Sequence, residues 1–150
     1  MTTPPCSNRF AALQRIQTDA YRKAAAIRDI YERANMVPAD LCGASDLARL
    51  PVTTKDQLLA LQRAHPPFGG FLAADTHDIR RIFVSPGPIY EPELSSDVTG
   101  RGFAQVFNQA GIGPGDRVLN TWSYHLVPAG LLLDQGIAST GATIIPCGPG

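Results

Sequence analysis

Cysteine, charge of one sign and long apolar runs are all in short supply in this 150-residue chain. Cys6, Cys42 and Cys147 are odd in number and no two have the spacing of metal ligands, which argues against a cysteine metal site and for reduced thiols. Thirteen basic residues balance thirteen acidic ones, with no acidic tail. No whole-chain field therefore points to nucleic acid or an anionic membrane. The longest nearly apolar run, Leu126 to Leu133, is far too short to span a bilayer, and Met1 to Phe10 holds no apolar signal-peptide core. A cytoplasmic protein whose partner is a small molecule or another protein is expected. What is present, 44% apolar and 17% charged residues, is the composition of an ordinary folded domain.

Apolar residues recur at helical steps through Phe10, Leu13, Ala20, Ala24, Ile27, Tyr31 and Ala34, predicting one long amphipathic helix ended near Asn35 by Val37-Pro38. Two short helices follow within 38–65, broken at Leu50-Pro51, the second opened by the capping box Thr54-Lys-Asp-Gln57. His65 and His77 lie in connectors, with no nucleophile or carboxylate spacing that argues a triad. Asp78 to Val84 reads as a strand, and a helix is predicted from about Ser96 to Ala110 with Gly111 at its C′ position. Gly113-Pro-Gly-Asp116 is a tight turn. Arg117 to Trp122 then reads as a buried strand, Val127 to Ser139 as an apolar helix and Gly141 to Pro146 as a second strand. Strand, helix, strand at this spacing is a βαβ unit with a parallel sheet. The fold class is α/β, a helical segment over 1–77 followed by a partial α/β subdomain over 78–150. So few strands and helices cannot cover both faces of a parallel sheet, so the chain is expected to be the front portion of a larger domain.

The stretch of most chemical interest is Phe83-Val-Ser-Pro-Gly-Pro-Ile-Tyr-Glu-Pro92. Between a strand and a helix it would occupy the usual place for an anion-binding loop, where backbone N–H groups converge. The second is Asn120-Thr-Trp-Ser-Tyr-His-Leu126, with Gly130 beyond it, at the carboxyl end of a predicted parallel strand.

Several stretches, taken in order, resemble the phenylacetate–CoA ligase branch of the adenylate-forming enzymes. Leu47-Ala-Arg-Leu-Pro-Val-Thr-Thr-Lys-Asp-Gln-Leu58, Pro67-Phe-Gly-Gly-Phe71, Ala110-Gly-Ile-Gly-Pro-Gly-Asp-Arg-Val118 and Gly141-Ala-Thr-Ile-Ile-Pro146 each match a family segment, and the order is co-linear. The resemblance implies the N-terminal portion of an acid–CoA ligase that activates a carboxylic acid, aromatic by analogy, with ATP and Mg²⁺ and passes it to CoA. It also implies a small-molecule carboxylate as partner and is compatible with a homodimer. The family's S-S-G-T-T-G-K-P phosphate loop falls on Ser85 to Pro92, where only Ser85, Gly87 and Pro92 agree. Pro86 and Pro88 lack an N–H to donate, and Glu91 stands where the family has lysine. At about 4 Å a unit charge acts on a phosphate charge with ~4 kcal/mol at an effective dielectric near ~20, so reversing its sign matters. Ser85, Gly87 and Glu91 thus mark a degenerate nucleotide-binding position. Trp122, Tyr124, His125 and Gly130 fall on the segment that shapes the acyl pocket. No catalytic residue and no metal ligand is assignable. The chain alone is expected to be catalytically silent and to bind no cofactor tightly. The alternative is a non-catalytic binding or interaction module derived from the same fold.

Overall fold

The N-terminal apolar stripe folds as two helices, not the single one its periodicity predicts. In the computed structural model, which describes residues 8–149, α1 runs Asn8–Lys23 and α2 runs Ala25–Arg33. Between them Ala24 is extended, at φ −107° and ψ 113°, and buried. The break is tolerated because its loose backbone groups find partners. Arg28 donates from Nη2 to the Arg22 carbonyl at 3.1 Å and from Nε to the Tyr21 carbonyl at 3.4 Å, and the Ala26 N–H reaches the Gly70 carbonyl at 3.1 Å. Periodicity carries no trace of such a break, because the apolar stripe continues through it.

Two compact units divide after Asp75. In the first, α3 (Ala44–Leu47) and α4 (Lys55–Ala64) follow a 3-10 turn at Pro38–Asp40. The capping box forms as read: Gln57 N–H donates to Thr54 Oγ1 at 3.3 Å, and Thr54 N–H donates to Gln57 Oε1 at 2.9 Å. Tyr31, Met36 and Leu41 make the core of this unit, with Leu13, Tyr21, Ile27, Ala34 and Leu50 packed against them. Each such large side chain contributes roughly 1.5–3 kcal/mol by leaving water. Cys42 is disulfide-bonded, which departs from the expectation of reduced thiols, whereas Cys147 is free and exposed.

The second unit opens with β1 (Ile79–Ser85), which does not join the parallel sheet. It pairs antiparallel with β2 (Ile89–Leu94) in a hairpin whose turn is Pro86-Gly87-Pro88, with Ser85 opposite Ile89. The expected strand–loop–helix around 85–92 is therefore corrected to strand–turn–strand. The predicted helix from Ser96 begins only at Phe103: α5 is Phe103–Gln109. Gly100, Arg101 and Gly102 all take positive φ (61°, 53° and 91°), which no α-helix can contain.

The βαβ reading holds. β3 (Arg117–Asn120) lies parallel to β4 (Thr143–Pro146), with Val118 opposite Ile144, and α6 (Ala129–Ala138) connects them. Before β3, Asp116 N–H bonds to the Gly113 carbonyl at 3.1 Å with Gly115 at φ 94°, the tight turn read from the sequence. The pair is not buried on both faces, however. Leu119 is 56% and Ile145 46% exposed, because no further strand or helix among the described residues covers that side. No described helix is long and apolar enough to cross a membrane.

Candidate functional site

A crevice of about 350 Å³ lies in the second unit, between the hairpin turn 84–88 and residues 125–127. The hairpin presents its turn because Pro86 and Pro88 cannot donate to a ladder and so end the pairing on both sides of Gly87. The opposite wall is tied to it by one backbone bond, from Val84 N–H to the Leu126 carbonyl at 2.7 Å. Leu126 sits at φ 53°, which bends the segment into a crest, and His125 and Leu126 are both exposed there. Two separate readings from the sequence, Ser85 with Gly87 and His125, thus come together across one cavity.

The other candidate residues do not line it. Glu91 lies within β2 and pairs with Arg101, Nη1 to Oε2 at 3.3 Å, while Arg101 Nη2 also donates to the Pro92 carbonyl at 3.1 Å. Trp122 is 58% exposed, which removes it from any core. Gly130 is buried in the first turn of α6, where a Cβ would lie 2.1 Å from the Ser123 carbonyl oxygen. It is glycine for close backbone packing. Its own N–H donates to that oxygen at 3.1 Å.

Tyr124 is half-buried and its hydroxyl is engaged. It receives a hydrogen bond from Asn120 Nδ2 at 2.7 Å and donates to Asp134 Oδ2 at 3.0 Å. Burial, followed by the hydrogen bond and negative charge of Asp134, pushes the phenol above its ordinary value, against the smaller opposing effect of Asn120. Sequence reading included Asn120 as the first residue of its second segment without giving it a role, and did not single out Asp134. The available signal for Asn120 was a polar residue ending a β-strand that pairs in a parallel sheet, the position from which loops beyond the strand are commonly fixed.

A second electrostatic feature lies off the crevice. Glu93 has no exposed side-chain surface and accepts from Arg81 Nη1 at 2.7 Å, Arg80 Nη2 at 2.9 Å and Gln135 Nε2 at 2.7 Å. Burial alone would raise its pKa; the hydrogen bonds from Arg80, Arg81 and Gln135 and the charge of Arg80 outweigh that and bring it down to about 2. Neighbouring strand residues ordinarily point to opposite faces, yet both arginines reach Glu93 because the β1–β2 register slips between Ile79 and Arg81.

A larger cavity, about 800 Å³, sits in the first unit between α2 and α4, walled by Ile30, Leu61, Ala64 and Phe71. Its polar residues, among them Asp29, Glu32 and Arg33, are exposed at the rim and not convergent. Among the described residues no group of three or more His, Cys, Asp or Glu could hold a metal ion. The crevice in the second unit is the better candidate site because it joins two chemically distinct segments.

The chain is 30% identical over 144 residues to the phenylacetate-coenzyme A ligase of Thermus thermophilus, covering 92% of this chain and 31% of that protein. It is 30% identical over 137 residues to the Escherichia coli enzyme of the same name, covering 87% and 30% respectively. The chain therefore spans about 30% of the length of these curated relatives. No family profile matches. Among solved structures, 2-hydroxyisobutyryl-CoA ligase in complex with 2-HIB-AMP and CoA superposes with a TM-score of 0.84 at 26% identity, over 99% of this chain and 33% of that one. The same ligase in its postadenylation state gives 0.86 at 26% identity, over 94% and 30%.

Proposed function

We propose that this homologue of the phenylacetate–CoA ligases, a member of the phenylacetate–CoA ligase-like branch of the adenylate-forming superfamily, supplies one wall of an acid-activating site. The reaction class is activation of a carboxylic acid to an acyl-adenylate and transfer of the acyl group to CoA, with an aromatic acid as the substrate suggested by the relatives' names. The observation that carries this reading is the crevice that sets the hairpin turn against the 125–127 crest. His125, exposed at the crest, offers ring nitrogens that hydrogen-bond a carboxylate, and Leu126 and Val127 supply apolar wall.

ATP and Mg²⁺ belong to the family's chemistry, and the residues at the turn do not fit a phosphate. Pro86 and Pro88 lack N–H groups, and the Val84 N–H is bonded to Leu126. Glu91 places a carboxylate where the family's lysine would stand, and Arg101 neutralises that charge only in part, since both side chains are solvated. The loop position Ser85, Gly87 and Glu91 is read as degenerate, which leaves nucleotide to groups outside these residues.

The test uses the protein as the cell makes it, assayed for thioester formation from arylacetates and short aliphatic acids. ATP-dependent acyl-CoA formation, with the KM for the acid raised about tenfold by His125→Ala, is the expected result, equivalent to one lost charge-assisted hydrogen bond. No thioester from any acid would overturn the ligase reading. Calorimetric titration with ATP tests nucleotide binding separately: tight binding by this 150-residue chain that Ser85→Ala and Glu91→Ala both weaken would show that the altered turn still grips phosphate.

A further inference from the structure

We infer that Asn120, Tyr124 and Asp134 form a positioning network that fixes the 121–128 segment over the crevice, and that the Tyr124 hydroxyl serves this network and not a ligand. Asn120 is 3% exposed and stands where β3 ends. Both ends of its amide are engaged: Oδ1 accepts from Trp122 N–H at 3.2 Å, and Nδ2 donates to Tyr124 Oη at 2.7 Å and to the Gly130 carbonyl at 2.9 Å. One side chain thereby grips the segment at its beginning, at its middle and at the helix that follows it.

Tyr124 completes the frame. Because the Asn120 amide can only donate from Nδ2, the tyrosine oxygen accepts there, and its own proton goes to Asp134 on α6 at 3.0 Å. Asp134, one turn along α6 from Gly130, is thus the outer anchor. The backbone adds a fifth tie, Gly130 N–H to the Ser123 carbonyl at 3.1 Å, and the residues after β4 add two more, with Cys147 and Gly148 N–H both on the Asn120 carbonyl at 3.0 Å. Between these anchors only the crest, His125 and Leu126, stands free, and its one outside bond is the one from Val84 beneath the hairpin turn. The width of the crevice therefore follows from where the network sets the crest. This positioning role toward a ligand rests on the functional reading above; the network itself does not.

Trp122 is the only tryptophan in the chain and lies inside the held segment, so its fluorescence reports the network without any ligand. In the ligand-free chain, Tyr124→Phe and Asp134→Ala are expected to increase acrylamide quenching of Trp122 roughly twofold and to speed exchange of the Trp122 amide roughly fivefold, while Asp134→Asn, which keeps an acceptor oxygen, restores both. Quenching and exchange unchanged in Tyr124→Phe would overturn the network. Should either variant fail to fold, the unmodified chain still decides: a Trp122 amide exchanging at the unprotected rate would refute the network, and a protected one would uphold it. In the protein that forms thioester, Tyr124→Phe should raise the KM for the acid several-fold with kcat nearly kept. An unchanged KM beside a loosened Trp122 would refute the positioning role. Absence of any thioester in the unmodified protein would refute the ligase reading and leave the fluorescence arm to judge the network.

Discussion

Glu93 shows how a single residue can be decisive and yet illegible in the sequence. Two glutamates stand two apart in β2, and on a strand they share a face, yet they end in different surroundings: Glu91 is partly solvated beside Arg101, Glu93 sealed beneath Arg80 and Arg81. The difference comes from the register slip in β1, and with 85–92 read as a loop no strand register could be considered. Glu93→Ala leaves two guanidinium groups and Gln135 without their acceptor, so a loss near the lower end of ~3–5 kcal/mol is expected in urea unfolding, the arginines being partly solvated. The pH dependence has a definite sign. The folded-state pKa lies below the ordinary value of 4.5, at about 2, so the contribution is complete above pH 4.5 and is lost as the pH falls toward 2. Acid titration of the unfolding free energy should slope over that window and should flatten in Glu93→Gln. An unaltered slope in the glutamine variant would show that other carboxylates carry the acid sensitivity.

At the scale of elements, local chemistry was readable where it is self-contained. The Thr54 capping box and the Gly113-Pro-Gly-Asp116 turn both form from residues within four positions of one another. Elements whose limits depend on distant partners were misread. The long N-terminal helix breaks at Ala24 because Arg28 and Gly70 satisfy the break, and α5 starts late because Gly100 must lie against α6. A Cβ at Gly100 would stand 2.0 Å from the Leu132 carbonyl oxygen, and one at Gly136 2.8 Å from Phe103 Cβ. Helix α6 is therefore seated through glycines on both sides of the contact. Gly136→Ala should cost roughly 1–3 kcal/mol by overpacking against α5. Gly115→Ala, at φ 94° with nothing within 4 Å, should cost only about 1 kcal/mol of backbone strain. Thermal midpoints of the two variants check the contrast. Equal shifts would mean that α5 and α6 can move apart more readily than their packing suggests.

At the scale of the whole molecule, the likeness to the phenylacetate–CoA ligases and the α/β class were legible because several segments match in co-linear order. Of the residues read from the sequence, Ser85, Gly87 and His125 line one crevice, whereas Trp122 is exposed, Tyr124 is bonded to Asn120 and Asp134, and Gly130 is packed against Ser123. Sequence gives the order of such residues along a segment, and only the folded segment decides which side chains its anchors consume. The same limit governs activity. The described residues gather no set of metal ligands, Pro86 and Pro88 offer no N–H at the hairpin turn, and the chain spans about 30% of the length of its curated relatives. Transition-state charge on a departing pyrophosphate needs fixed donors and cations, which normally supply several kcal/mol each. Without them the 150-residue chain should show no ATP–pyrophosphate exchange with any carboxylic acid, including phenylacetate, even at millimolar nucleotide. Glu91→Lys alone should not restore it, because the new ammonium would face Arg101 and Pro86 and Pro88 would still withhold two N–H groups. Exchange above the buffer rate in the unmodified chain would mean that phosphate is gripped by groups other than the hairpin turn. Exchange in the lysine variant alone would mean that the charge at position 91, and not the missing donors, decides phosphate binding.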